Sequence, residues 1–500
     1  MLGLIGIAMS DMASAWLMTS LDADPRAVSW VQVAANLPMF LFTLPAGALI
    51  DSFNPRRFLL VVQAAIAAVT LGFALMISLR VVGAYSLLAM TFALSAAWTA
   101  AAPAWLAILP ALVPKTDLDS ATAINGAGYN VSRAVGPAVG GVAIALFGVA
   151  SPFWIFGAVN VATILALLRW RNPVPASPMP AEPLASALRV GLRHGANNSH
   201  LIATIARTLA IFPFASAYWA LLPLLARDRM GGGPQTFGML LGALGAGALA
   251  GALGLNGLKA WLGPDRLALW GALATAAALA LFGVVRDPRQ GVALCVVAGV
   301  AWIVVMATLY VSAQVALPDW VRGRGLSLFL TVIFGAMTLG GVVWGQVAEW
   351  TGMPAALFIA AAGALLGAPL SARFRLQTGA DLDLSPSRHW RLPAGGRDVA
   401  DAEGPILVVR EYCVDAPNRA AFLKAIGEIG HERKRDGAYA WGVFEDPVER
   451  TRLWETFLIE SWLEFRLFCE RVTNADRLVE ERARRLLAAP VKTKVMTPPK

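Results

Sequence analysis

The chain is 500 residues long, 57% hydrophobic and only 15% charged, with a mean hydropathy of +0.61 and a formal net charge of +9. A soluble protein would carry about a quarter charged residues, so the composition excludes an ordinary soluble chain, and apolar runs near 20 residues place it among polytopic membrane proteins. The basic excess does not imply a nucleic-acid partner, because many of the Lys and Arg residues lie between or beside those runs, where they set topology.

Six apolar runs come first, at 2–21, 27–50, 58–79, 83–109, 120–148 and 151–170. Residues 171–200 then read as a linker: NPVPASPMPAEP is rich in proline, and LASALRVGLRHG fits a short surface helix. Six more runs follow at 202–226, 235–258, 264–285, 290–316, 325–347 and 353–372. Twelve spans result, in a half at 1–170 and a half at 201–372. Segments 109–141 and 316–345 echo each other faintly, as two repeated halves of a rocking transporter would. Thirteen Lys and Arg residues fall in loops on one side against six on the other. That bias puts both termini and the linker in the cytoplasm of a plasma (inner) membrane protein. No cleavable signal peptide is expected, since the N-terminus lacks a basic stretch.

Residues 1–372 hold 12 of the 32 acidic residues, so the remainder is a different kind of chain. A polar linker spans 373–404. PILVVREYCV then alternates like a strand. APNRAAFLKAIGEIGHERKRDG reads as a helix opened by Asp415, AYAWGVFED and RTRLWETFLIES as strands, and WLEFRLFCERVTNADRLVEERARRLL as a helix. A small α+β domain at 405–490 is predicted. Cys295, Cys413 and Cys469 have neither metal-ligand nor disulfide-framework spacing.

Several short patterns carry chemistry. GALIDSFNPRR (47–57) ends the second run with Gly47, Asp51, Arg56 and Arg57. A carboxylate there can cap a neighbouring helix or pair with arginine; the two arginines also satisfy the positive-inside bias. GPAVGG (136–141), with Gly136, Pro137, Gly140 and Gly141, permits close helix approach and a bend. Polar side chains inside spans are candidates for a substrate or proton pathway: Asp11, Gln32, Asn36, Asn125, Asn130, Arg133, Arg207 and Gln314. Arg133 offers donors for an anionic or polar ligand. Asp11 either carries a proton or pairs with Arg133. Arg207 lines the pathway or snorkels to the surface.

GALIDSFNPRR resembles the loop between helices 2 and 3 of the major facilitator superfamily, and GPAVGG the helix-5 motif of its exporters. LPALVP…INGAGYNVSRAVGPAVGG with LPDWVRGRGLSLFL resembles the transmembrane secretion effector or enterobactin-exporter-like branch. The resemblance implies an all-α polytopic fold of twelve helices, plus the small C-terminal domain. It also implies alternating access, a gating role for Asp51, and export of siderophore- or drug-like amphipathic molecules. No Gly-x4-Gly-Lys loop occurs, so a proton gradient is the expected energy source. KRDGAYAWG and SWLEFRLFCERVTNADR resemble small α+β barrels that dimerise, shared with antibiotic-biosynthesis monooxygenases. They imply a regulatory module and a homodimer through the tail. The alternative is a membrane-anchored enzyme or sensor working through that domain. Against it, His431 stands on a charged helix face with no nucleophile–base pair or metal cluster, and no cofactor is expected. The partners expected are a small-molecule substrate, protons and the lipid bilayer.

Overall fold

The computed structural model describes residues 1–50, 54–170, 184–379, 382–390, 392–393 and 399–499. Among them, eleven helices are long and apolar enough to cross a membrane. In the first half these are α1 (Leu2–Leu21), α2 (Pro25–Ile50), α3 (Pro55–Ser78), α4 (Ala84–Leu112), α5 (Leu118–Phe147) and α6 (Ser151–Arg169). A shorter helix, α7 (Leu184–Asn197), precedes α8 (Ser199–Leu224), α9 (Pro234–Phe282), α10 (Pro288–Val315), α11 (Arg322–Thr351) and α12 (Met353–Ser371). Only helices satisfy every backbone group within one segment in lipid, so long apolar runs leave the chain little choice.

Helix α9 is 49 residues long and holds two spans. It breaks at Gly263, whose φ of +72° is left-handed. Glycine takes that conformation without a Cβ clash, and Pro264, with its φ preset and no N–H to satisfy, restarts the helix. The eighth and ninth predicted runs are therefore joined by a one-residue hinge rather than a loop.

The chain divides into two compact units. The first comprises Met1–Leu184, Thr204–Tyr310 and Phe329–Leu376. Its helices meet through small residues, since lipid offers no hydrophobic drive between helices and close van der Waals contact must serve instead. On α5, Gly136 lies against Ala8 and the Ile5 carbonyl of α1, and Gly140 against Met9. The opposite side of α5 meets α9. A Cβ at Gly141 would stand 2.7 Å from the Pro234 carbonyl oxygen, and one at Gly245 would stand 2.5 Å from Ala134 Cα. Helix α11 makes the matching contact on α2, with Gly345 against Ser29 and Gly341 against Val33. The two halves thus touch backbone to backbone along α5–α9, and glycine to side chain along α2–α11.

This seam yields a prediction. Gly245→Val must push α9 off α5, an overpacking cost of about 1–3 kcal/mol. Cysteines placed at Ala138 and Gly242, which face each other across the seam, should cross-link several-fold less efficiently in that background. Unchanged cross-linking would mean that the contact is not close-packed in the membrane.

The second unit gathers Ala185–Ala203, Val311–Leu328 and Gln377–Lys500. Its sheet has the order β2-β3-β1-β4, all antiparallel, from β1 (Ile406–Cys413), β2 (Ala440–Glu445), β3 (Arg452–Ile459) and β4 (Lys492–Met496). Helix α13 (Arg419–Asp436) follows β1, and α14 (Trp462–Arg471) and α15 (Asn474–Arg484) follow β3. The predicted single helix after β3 is two. Val472 takes extended backbone, and Thr473 starts α15 with a capping box to Asp476, satisfying donors that an interior break would otherwise orphan. Strand β4 lies beyond residue 490 and completes the sheet against β1.

Alternate residues of β1 and β3 are buried, as a sheet with one covered face requires. That face includes charges. Arg410, Arg433, Glu455 and Glu480 are each at most 4% exposed. Arg433 Nε lies 3.4 Å from Glu455 and its Nη2 bonds Glu480 at 2.5 Å. Tyr412 donates to Glu455 at 2.6 Å. The indole of Trp390 is close to both guanidinium groups, with ring centroid distances of 4.8 Å to Arg410 and 4.7 Å to Arg433, and donates to Glu480 at 2.9 Å.

Two further segments of the second unit touch this domain. The Arg471 guanidinium sits 4.3 Å over the Trp320 ring, which His194 of α7 meets edge-on. His194 lies 3.8 Å from Asp436. Burial, then the charge of Arg435, pulls its imidazole down to about 3, so it is neutral there. Asn198 closes the junction of α7 and α8 by donating to the Ala316 carbonyl at 2.8 Å and accepting from His200 and Leu201 N–H groups.

Candidate functional site

The polar residues within the first unit separate into three places. The first lies in mid-span. On α1, Asp11 is exposed while Met9, Ser10, Met12 and Ala13 around it are buried. Asp11 is thus not packed into the core that its neighbours on α1 form. Arg133 of α5 is the cation whose field acts on it. The Arg133 guanidinium lies 5.9 Å from the Tyr129 ring centroid and 5.7 Å from that of Trp219 on α8. Tyr218, beside Trp219, is buried. Arg133 of the first half thus lies against the Trp219 ring of the second, with its charge acting on Asp11.

Polar groups on α1 and α2 are also left unanswered by the protein. Both amide atoms of Gln32 on α2, and the Ser10 hydroxyl, are buried without a hydrogen-bond partner. Such groups cost several kcal/mol in an apolar medium, so water or a ligand is the natural partner. Asn36 and Asn130 donate back to carbonyls of their own helices, those of Gln32 at 3.0 Å and Gly126 at 3.1 Å.

The second place is a clamp. Arg207 is 2% exposed and spends its guanidinium on carbonyls: Phe374 at 2.7 Å, Ala372 at 3.0 Å and Asp265 at 3.3 Å. It also pairs with the Asp265 carboxylate at 2.6 Å, which accepts from Leu376 N–H. It neither joins the Asp11 cluster nor snorkels. It ties α8, the start of the second α9 segment and the C-terminal end of α12, where a cation meets orphan carbonyls favourably. Asp265, directly after the Gly263-Pro264 break, was the available signal.

The third place is the loop after α2. Asn54 caps α3, accepting from Arg57 N–H at 3.2 Å, with Pro55 in the first helical turn. Arg56 donates to the carbonyls of Leu167 and Leu168 at the end of α6. Arg57 is exposed. Asp51 lies outside the described residues, as do the surroundings of Gly47 and the side chain of Asn125. Gln314 belongs to the second unit, exposed in the last turn of α10.

At the opposite end of the first unit, Arg26 of α2 pairs with Glu349 of α11 at 2.7 Å and with Asp24 at 3.0 Å. This ion pair crosses between the halves where Gly345 meets Ser29. Sequence reading missed it, and it missed Trp219, because neither charges in terminal turns nor a tryptophan in an apolar run carries a distinguishing pattern.

The sequence model of the transmembrane secretion effector family matches residues 1–498. The chain belongs to this family of major facilitator superfamily transporters. Proteins similar to it include the multidrug efflux pump Tap of Mycolicibacterium fortuitum, 25% identical over 373 residues, which cover 70% of this chain and 87% of Tap. The enterobactin exporter EntS of Escherichia coli is 29% identical over 248 residues, covering 48% of this chain and 58% of EntS. Among solved structures, the nucleoside transporter NupG shares the fold, with a TM-score of 0.56 at 15% identity, covering 75% of this chain and 98% of NupG. As a transmembrane secretion effector, the chain is a multi-pass membrane transporter.

Proposed function

We propose that this transporter exports amphipathic small molecules, drug-like or siderophore-like, across the inner membrane by alternating access coupled to protons. The observation that carries the reading is mid-span Arg133 lying against the Trp219 ring with its charge acting on Asp11, next to the buried and unsatisfied Ser10 hydroxyl. The aromatic wall suits flat apolar bodies, Arg133 suits an anionic or polar substituent, and Asp11 is the proton carrier. The similarity to Tap and EntS supports the substrate class. With the loop of Arg56 and Arg57 in the cytoplasm, the Arg26–Glu349 end is the outer gate, and Asp51 is a cytoplasmic latch.

Inside-out vesicles test this. A planar amphipathic dye and a catecholate siderophore should each be offered with an acidic lumen. Accumulation of at least one is expected. Collapse of the gradient, or Asp11→Asn, should lower it about ten-fold, since Asp11 is the mid-span carboxylate on which Arg133 acts. Uptake indifferent to the gradient would remove proton coupling, and no uptake of either probe would remove the substrate class.

A further inference from the structure

Within the second unit, a cavity of about 870 Å³ opens among the α7–α8 junction, the loop before α11, and helices α13 and α15 of the tail. Its apolar wall includes Leu382, Leu384 and Val479. Arg485 adds a cation to the lining, and other charged groups there are paired. Arg435 pairs with Asp436 at 2.7 Å and with Asp476 at 2.8 Å, Arg482 lies 3.9 Å from Glu428, and Glu481 lies 3.6 Å from Arg477. Glu432 differs. Its Oε2 is buried and has no hydrogen-bond partner. A carboxyl held in a lined cavity with one oxygen unanswered is a counter-charge in want of a cation.

We propose that this cavity binds amine-bearing small molecules with Glu432 as their counter-charge, and that a bound ligand bridges the tail to the α7–α8 junction and the α10–α11 loop. The groups acting on Glu432 are Asp476 of α15 and Arg433, Arg435 and Asp436 of α13; His200 and His431 also line the cavity. Burial first, then the like charge of Asp476, pushes Glu432 up to about 9. The empty site therefore holds a neutral acid at pH 7.5, and an ammonium group that enters ionises it and sends the proton to solvent. Two of the bridged segments continue directly into membrane helices, so occupancy is placed to report amine load to the carrier. This site stands apart from the Asp11 cluster and does not rest on the export reading.

The full-length protein in nanodiscs should be titrated with phenethylamine by calorimetry at pH 7.5, in phosphate and in Tris. Saturable binding is expected, with a heat that differs between the buffers because a proton is released. Glu432→Gln, nearly isosteric, should weaken binding about ten-fold or more and abolish the buffer difference. Ala475→Trp, which fills the cavity, should block binding, and Asp11→Asn should leave it intact. No saturable binding, binding indifferent to Glu432→Gln and Ala475→Trp, or binding lost with Asp11→Asn would each overturn the proposal.

Discussion

Arg133→Ala should weaken substrate binding about ten- to thirty-fold, with the protein still inserted in the membrane. The guanidinium lies near both the Tyr129 and Trp219 rings, and its charge acts on Asp11. Desolvated cation–π contacts and hydrogen bonds to a charged group are each worth about 2 kcal/mol, which is about thirty-fold in affinity. Arg133→Lys should recover only part of this, because an ammonium lacks the planar fork that stacks on indole and grips two acceptors at once. Trp219→Ala should act in the same direction, since it removes the ring contributed by the other half. Equilibrium dye binding to purified protein measures all three. Wild-type affinity in Arg133→Ala would place the substrate elsewhere.

Arg433→Ala should destabilise the tail by about 3–5 kcal/mol, the usual result of leaving a buried charge without its partner. Glu455 and Glu480 would then face each other in a closed interior with Arg410 alone between them. Arg433→Met combined with Glu480→Gln should cost much less, because removing both charges leaves neither stranded. Hydrogen exchange of the β1 and β3 amides in the full-length protein reads this directly. The same box sets a pH dependence. Burial alone would raise the Glu480 carboxyl, but Arg433 and Arg410 overcome it and hold it well below the ordinary range. The unfolded carboxyl titrates near about 4.3. Glu480 therefore contributes stability that is fully present above about 4.3 and is lost as pH falls through its lower folded value. Protection of β1 should fade on acidification below about 4.3 in wild type and less steeply in Glu480→Gln. Equal acid sensitivity in both would assign the effect to other carboxylates.

The spans were legible because the bilayer is a strict solvent. A long apolar run must be a helix in lipid, and glycine-rich helices must meet closely, so residues 2–372 declared their class and the Gly136–Gly141 seam its role in packing. Strand alternation in 406–413 and 452–459 was equally readable, since one covered face imposes a period of two. The Gly263-Pro264 hinge was half visible: the pair marks a break, but only the φ of +72° shows that a single residue makes it. Long-range pairing was legible only for Asp11 with Arg133, matched as lone charges inside apolar runs. Arg207 has the same sequence signature as Arg133, a lone arginine in an apolar run, yet one is spent on Asp265 and the last carbonyls of α12 while the other lies by two aromatic rings and acts on Asp11 through its charge. Arg433 and Glu480 lie in stretches that read as ordinary charged helix. Period and composition state which face a residue occupies; they do not state what stands opposite it. That partner is chosen by how helices distant in sequence are brought together, and it decides whether a charge serves as a clamp, a core or a site.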